Sequence, residues 1–418
     1  MLRGPHGARA AWLCTIGAIA LTGVLLSACS ELLTTEAPSR VLESDLNNPQ
    51  NAALIVAGAV SDFECALSSY TASFGLITDE LDDAALSQSQ FDYDRRTFTP
   101  AGGTYATGGC GGFGPYVPVS TARYSNDEAI KLLSGWTDDQ VPNRTALTAK
   151  AAAYAGYSYI LLGEGFCSAA VDGGPELTPA DLFGIAEQRF TLAITTTTDP
   201  ALKNMALVGR ARARINLGKP ADAAADAKLI PKGFLFTAKF NDQTARSRNV
   251  VYAQLGRGQN ITVAPGYREV KFAGVPDPRV AVVNTGLIGF DKVSPIWNPT
   301  KASLPGSPIA IAKWQEAKLI IAEAAGGQTA VDAINELHAA ANIPPFAGGT
   351  DAEIKAQIIE ERRREFFLEG QRAYDIIRFQ LPLVPAVGAP YPKGGTYGDL
   401  RCLPLPDVER LNNPSLKP

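Results

Sequence analysis

Residues 360–379 read EERRREFFLEGQRAYDIIRF. Ile354, Ile358 and Phe366 recur at the spacing of one helix face, so an amphipathic helix is predicted to run into this stretch. Glu360 stands four residues before Arg364, and Asp351 four before Lys355, the acid-first order that favours a helix surface. Gly370 can stop that helix in a left-handed turn. Tyr374 and Ile377 then give a second short helix an apolar edge of its own. Charge alone would suit any solvated core helix. The order of the charges says more.

Glu361, Arg362, Arg363, Arg364, Glu365, Glu369, Gly370, Arg372, Asp375 and Arg378 fall in the order of a known motif. They resemble the C-terminal signature of the SusD/RagB family, with Ile376 or its neighbour where that family usually has leucine. Two further stretches share the resemblance. Asn47-Asn48-Pro49 opens a helix carrying the step Gly58-Ala59, and the chain closes on Cys402-Leu-Pro-Leu-Pro and Asn413-Pro414. The resemblance implies a mainly α fold, a superhelix of tetratricopeptide-like hairpins with long irregular loops and a small β-hairpin. It also implies no enzymatic activity and no cofactor. The implied partner is a SusC-like TonB-dependent transporter, over which the protein sits as a lid. Glu361, Arg363, Glu365, Glu369, Gly370, Arg372 and Asp375 would then be architectural. Arg363 and Asp375 are expected to satisfy one another or neighbouring helix ends.

The composition is compatible with this. The chain has 418 residues, of which 46% are hydrophobic and 19% charged, ordinary for a globular protein able to bury a core. A net charge of −4 offers no basic surface, which argues against nucleic acid as a partner. Arg3 and Arg9 precede an apolar run at 10–26, and Leu26-Ser27-Ala28-Cys29 has the form of a lipobox. The expected organisation is a lipoprotein signal peptide at 1–28, a tether at 29–46 lipidated on Cys29, and one α-helical domain at 47–418. A multiply acylated cysteine would hold the protein to a bilayer, and the resemblance implies that this is the outer membrane, with the protein facing outward. No second apolar run is expected to approach a spanning length. Cys65, Cys110, Cys167 and Cys402 remain in the mature chain as disulfide candidates, with three pairings open.

In chain order, a helix is predicted at 50–69, with Ala53, Leu54, Ala57 and Val60 on one face. Residues 70–119 lack a sustained period and read as a long loop region. Helices follow at 121–136, 147–163, 181–195, 202–217 and 220–229. Ala211, Gly218, Ala223 and Ala227, with Ala186, Phe190 and Ala193, have the spacing of tetratricopeptide-like hairpins. An irregular insert occupies 232–308, with β-type runs at 250–254 and 269–272. Helices resume at 309–325 and 330–341.

Little chemistry is legible. His338 is the one histidine outside the leader, which excludes a multi-histidine metal site, and no metal is expected. Gly109-x-Gly111-x-x-Gly114 is followed by Pro115 and Pro118, so it is read as a loop without the strand and helix that a dinucleotide site requires. Asp79, Glu80, Asp82 and Asp83 form the densest acidic cluster, suited to accepting hydrogen bonds from sugar hydroxyls. They lack the spacing of a calcium loop. Tyr70, Phe91, Tyr93, Phe113, Tyr116 and Trp297 sit among polar residues in the two irregular regions. Their rings could stack on the C–H faces of sugars, and two of the six are expected to do so. Asp79 joins them as a candidate ligand residue. The leading reading is a surface lipoprotein that binds a glycan or other nutrient and delivers it to the transporter. The alternative is a lipid-anchored helical-repeat scaffold for envelope assembly. A hydrolase would need a catalytic carboxylate pair that the sequence does not place.

Overall fold

The computed structural model describes residues 47–101 and 103–416. The expected leader, Cys29 and the tether lie outside them. A 3-10 turn at Pro49–Asn51 leads into α1 (Ala52–Ile77). The first half of α1 is amphipathic, burying Ala52, Val56, Ala59 and Phe63 and exposing Leu54. From Cys65 to Ile77 every residue is buried, so no helical period survives in the sequence. The buried face is therefore not the one through Ala53, Leu54 and Ala57, and the helix runs on past Ser69. With its leading turn, α1 is also long and apolar enough to span a membrane by length and composition, contrary to expectation. More than half of its most apolar stretch is buried against the rest of the fold.

Residues 70–119 are not one loop. They hold the end of α1, β1 (Leu81–Asp83), α2 (Gln88–Arg95), α3 (Thr104–Thr107) and the start of α4 (Tyr116–Gly135). A helix does follow Gly109-x-Gly111-x-x-Gly114, since Pro118 falls in the first turn of α4, where a missing N–H breaks no helical bond. What precedes the glycines is α3, with no strand to complete a phosphate loop.

Three helical layers carry the middle. α4 packs on α5 (Arg144–Gly165), which a short hairpin, β2 (Ala169–Ala170) and β3 (Glu176–Leu177), joins to α6 (Pro179–Thr196). α6 packs on α7 (Pro200–Asn216), and α8 (Pro220–Ala227) lies behind α7. Local sequence sets these ends. Thr178 and Asp181 cap α6 reciprocally with Pro179 at its first position, and Asp199 caps α7. Ala186, Phe190, Ala193, Ala211, Ala223 and Ala227 are buried, and Gly218 turns the chain at φ 71°. The layers are close: a Cβ on Gly156 or Gly209 would stand 2.7 or 2.3 Å from the Phe190 ring.

The insert holds β4 (Leu235–Ala238), α9 (Val250–Tyr252), β5 (Ile261–Val263), β6 (Lys271–Phe272), β7 (Val275–Pro276), β8 (Val282–Ile288) and β9 (Pro295–Pro299). The run at 250–254, expected as a strand, is helical. β10 (Ile309–Lys313) occupies the first five residues of the helix predicted at 309–325, pairing with β4. The other ladders, β1–β5, β6–β7 and β8–β9, are also antiparallel pairs. α10 (Trp314–Ala325) and α11 (Gly327–Ala340) form a further hairpin. α12 (Asp351–Glu365) packs on both, followed by α13 (Arg372–Arg378) and α14 (Asp407–Asn412). Disulfides join Cys65 to Cys110 and Cys167 to Cys402.

Candidate functional site

The arginine-glutamate stretch is a buried ion-pair network. Thr350 and Glu353 cap α12, and Gly370 takes φ 80° in the turn to α13. Arg362 bonds Asp375 at 2.9 Å through Nε, and Asp375 also meets Arg378 at 3.3 Å. Arg363 instead pairs with Glu360 at 2.7 Å and lies 4.6 Å from the Tyr267 ring centre. Asp375 thus takes Arg362 and not the expected Arg363. The register explains it: Arg362 is on the buried face of α12, and Arg363 points toward the insert. Glu361 accepts from His338, Gln357 and Arg279. Burial opposes its charge, yet His338 and Arg279 hold it below the usual carboxylate range. Both nitrogens of the buried His338 ring face oxygen acceptors, Glu361 and the Pro344 carbonyl. Lys313 bridges Glu365 and Glu369 at 3.0 and 2.7 Å.

This network reaches β1. Arg372 clasps Asp79 through two bonds of 2.7 and 2.9 Å. Glu80 accepts from the Leu368 backbone N–H at 2.8 Å, and burial pushes its carboxyl up to about 8. Two of the four clustered acids are thereby anchored to the signature. The remaining two, Asp82 and Asp83, are carried onward to another surface.

There, Asp82 lies opposite Thr262 in the β1–β5 ladder. The Thr262 hydroxyl donates to the Pro295 carbonyl and accepts from the Trp297 N–H, both at 2.9 Å, which pins β9 beside β5. Trp297 stays half-buried, with the Arg268 guanidinium 5.3 Å from its ring. Arg268 is held by a bond to the Val263 carbonyl. On the other side, Lys393 contacts Asp83 and Asp291 and lies 5.2 Å from the Phe91 ring. Tyr391 bonds Asp94 at 3.2 Å, and Asp94 accepts from the Asp83 N–H. Asp82 is the exception. Among the described residues it has no ion pair, and its carboxylate accepts no hydrogen bond; burial raises it to about 6 against the pull of Arg268 and Lys393. An aromatic face, a flanking guanidinium and an unclaimed carboxylate form a platform with the chemistry of polyol recognition.

The sequence-predicted ligand residues divide. Phe91 and Trp297 are half-buried at this platform. Tyr70, Tyr93, Phe113 and Tyr116 are in the core instead, and each is fixed there. Tyr70 packs on Phe74 at 4.2 Å, Tyr93 bonds the Phe113 carbonyl, and Tyr116 bonds Glu409. Asp79 is committed to Arg372 through both carboxylate oxygens. Arg268, Tyr391 and Lys393 escaped notice. Lys393 stands 310 residues from Asp83 in the chain, and no local pattern connects them. No cluster of three or more His, Cys, Asp or Glu able to hold a metal occurs among the described residues.

Residues 316–401 match the SusD family model. No curated protein matches the chain. A SusD superfamily protein from Bacteroides vulgatus has the same fold at a TM-score of 0.71 and 16% identity, over 88% of this chain and 98% of that one. A SusD-like protein from Bacteroides fragilis gives 0.68 at 13% identity, over 90% and 98%. A SusD-like carbohydrate binding protein from Bacteroides vulgatus gives 0.65 at 16%, over 88% and 97%. By fold along most of its length, and by family sequence over residues 316–401, the chain is SusD-like.

Proposed function

We propose that the protein captures a glycan on the Trp297 platform and delivers it to a SusC-like TonB-dependent transporter, acting as a binder with no catalytic step. The observation that carries this reading is the half-exposed Trp297 ring beside the unpartnered Asp82 carboxylate. One supplies a flat apolar face for a sugar ring, and the other accepts hydroxyl protons. A structural neighbour described as a carbohydrate binding protein supports the ligand class. The lipobox at Leu26–Cys29 supports an acylated, membrane-held protein, and the SusD-like fold supports placing it on the outer membrane, facing outward. A binder held by acyl chains has no passage of its own for a polar ligand, so a separate channel is required.

Glycan-array binding, followed by calorimetry on the best glycan, tests the site. Trp297→Ala is expected to weaken binding about tenfold or more, with Phe91→Ala and Asp82→Asn also weakening it. Detergent extracts are expected to yield the protein with a TonB-dependent barrel. A protein that binds no glycan and is recovered free of any barrel would favour the scaffold reading.

A further inference from the structure

Apart from the platform, a cavity lies where α4, α5 and α6 meet the β2–β3 hairpin, with a volume of about 560 Å³. That size falls within the range of small-ligand sites. Arg123, at one wall, is 6% exposed, and a guanidinium that deep normally has its donors matched. Here it is not. Among the described residues its Nε is buried with no acceptor, its one hydrogen bond goes from Nη1 to Asp172 at 2.7 Å, and Asp127 stands off at 4.0 Å. Asp127 is already occupied, accepting from the Tyr159 hydroxyl and from Arg189, both at 2.7 Å.

The one close partner of this buried cation is therefore a surface group. The Asp172 side chain is 59% exposed, on the turn of the hairpin, with φ 52°. Beside it the Tyr124 ring is 53% exposed, 5.8 Å from the Arg123 guanidinium. A fixed cation, a displaceable carboxylate and an open aromatic face in one cavity describe a site occupied by a stand-in.

We propose that this cavity binds an acidic sugar of the uronate type, whose carboxylate replaces that of Asp172 on Arg123 while its ring lies on Tyr124. A guanidinium and a carboxylate can match as a two-bond fork, which the single bond to Asp172 does not achieve. A neutral sugar brings no carboxylate to compete with Asp172 for Arg123 and so gains nothing from the buried cation. The site is independent of the Trp297 platform and does not rest on the proposal made for it.

Calorimetry with digalacturonate, galactobiose and acetate tests this. Wild type is expected to bind digalacturonate, with galactobiose at least about tenfold weaker and acetate a poor competitor. Tyr124→Ala is expected to weaken digalacturonate binding, and Asp172→Asn to tighten it severalfold. Asparagine tolerates a left-handed backbone at least as well as aspartate, so the hairpin keeps its turn while the competing charge is lost. Arg123→Gln should abolish binding; because it alters a buried group, Asp172→Asn and Tyr124→Ala carry the test on exposed ones. Trp297→Ala should change nothing here. The proposal is overturned by equal affinity for galactobiose, by unchanged or weaker binding in Asp172→Asn, by loss of digalacturonate binding in Trp297→Ala, or by no binding in wild type and Asp172→Asn alike.

Discussion

Asp375 is buried, and burial would raise its carboxyl were it not for Arg362 and Arg378, which keep it below its ordinary value. Its removal strands the Arg362 guanidinium, whose side chain is 7% exposed. Asp375→Ala is expected to cost about 3–5 kcal/mol, the typical penalty for a buried charge deprived of its partner. Arg363→Ala breaks a more accessible pair with Glu360 and should cost about 1 kcal/mol. Urea midpoints of the two variants check the assignment. Equal losses would restore Arg363 as the partner of Asp375. The order of charges in 360–379 was legible because a signature is a local string. Which arginine faces inward was not, since adjacent positions on a helix differ by about 100° and the choice is made by α13, which takes Arg362, and by the insert, which takes Arg363. The same holds for the aromatics. Phe91 and Tyr93 look alike in sequence, yet one lies beside Lys393 and the other is sealed against Phe98 and Phe113.

Among the elements, α6, α7 and α8 were read nearly to their ends from the spacing of Ala186, Phe190, Ala193, Ala211, Ala223 and Ala227 and from the turn at Gly218. The caps Thr178 and Asp199 start α6 and α7 at Pro179 and Pro200, before the expected 181 and 202. The second half of α1 carries no such mark. Serines, threonines and Tyr70 in it look like loop composition, but a helix buried on every side shows no polar face from which to infer a period. Glycines inside helices, read locally as weak points, have opposite roles here. Gly209 admits the Phe190 ring between α6 and α7, whereas a Cβ on Gly58 of α1 would meet nothing within 4 Å. Gly209→Ala is therefore expected to destabilise by about 1–3 kcal/mol through overpacking. Gly58→Ala should stabilise by up to about 1 kcal/mol through helix propensity. Thermal melts followed by circular dichroism decide it; the same sign for both would refute close packing as the reason for Gly209.

Across the whole molecule, two sets of buried carboxyls oppose one another. Asp277, Glu360, Glu361, Glu369 and Asp375 are held low by cations despite their burial, so their stabilisation is present at neutral pH and lost as pH falls below about 4. Burial raises Glu80 and Asp94 to about 8 and Glu316 to about 7, from ordinary values near 4. Between those limits the folded chain binds more protons than the unfolded one, and stability falls as pH rises. The expected profile is a dome with its maximum in mildly acidic solution. Urea midpoints from pH 3 to 9 would trace it, and Glu80→Gln with Glu316→Gln should flatten the alkaline limb. A wild-type profile still rising from pH 6 to 9 would contradict the assignment. The local pairs, Glu360 with Arg364 above all, were legible in sequence; the burial that raises Glu80, Asp94 and Glu316 was not, because the walls around them come from distant segments. One of those long closures is covalent. Cys167 and Cys402 are 235 residues apart, and Phe166 and Leu403 pair beside them. A single cut by a peptidase anywhere in the intervening chain, the insert and the signature included, leaves two pieces that remain one molecule until a reductant separates them.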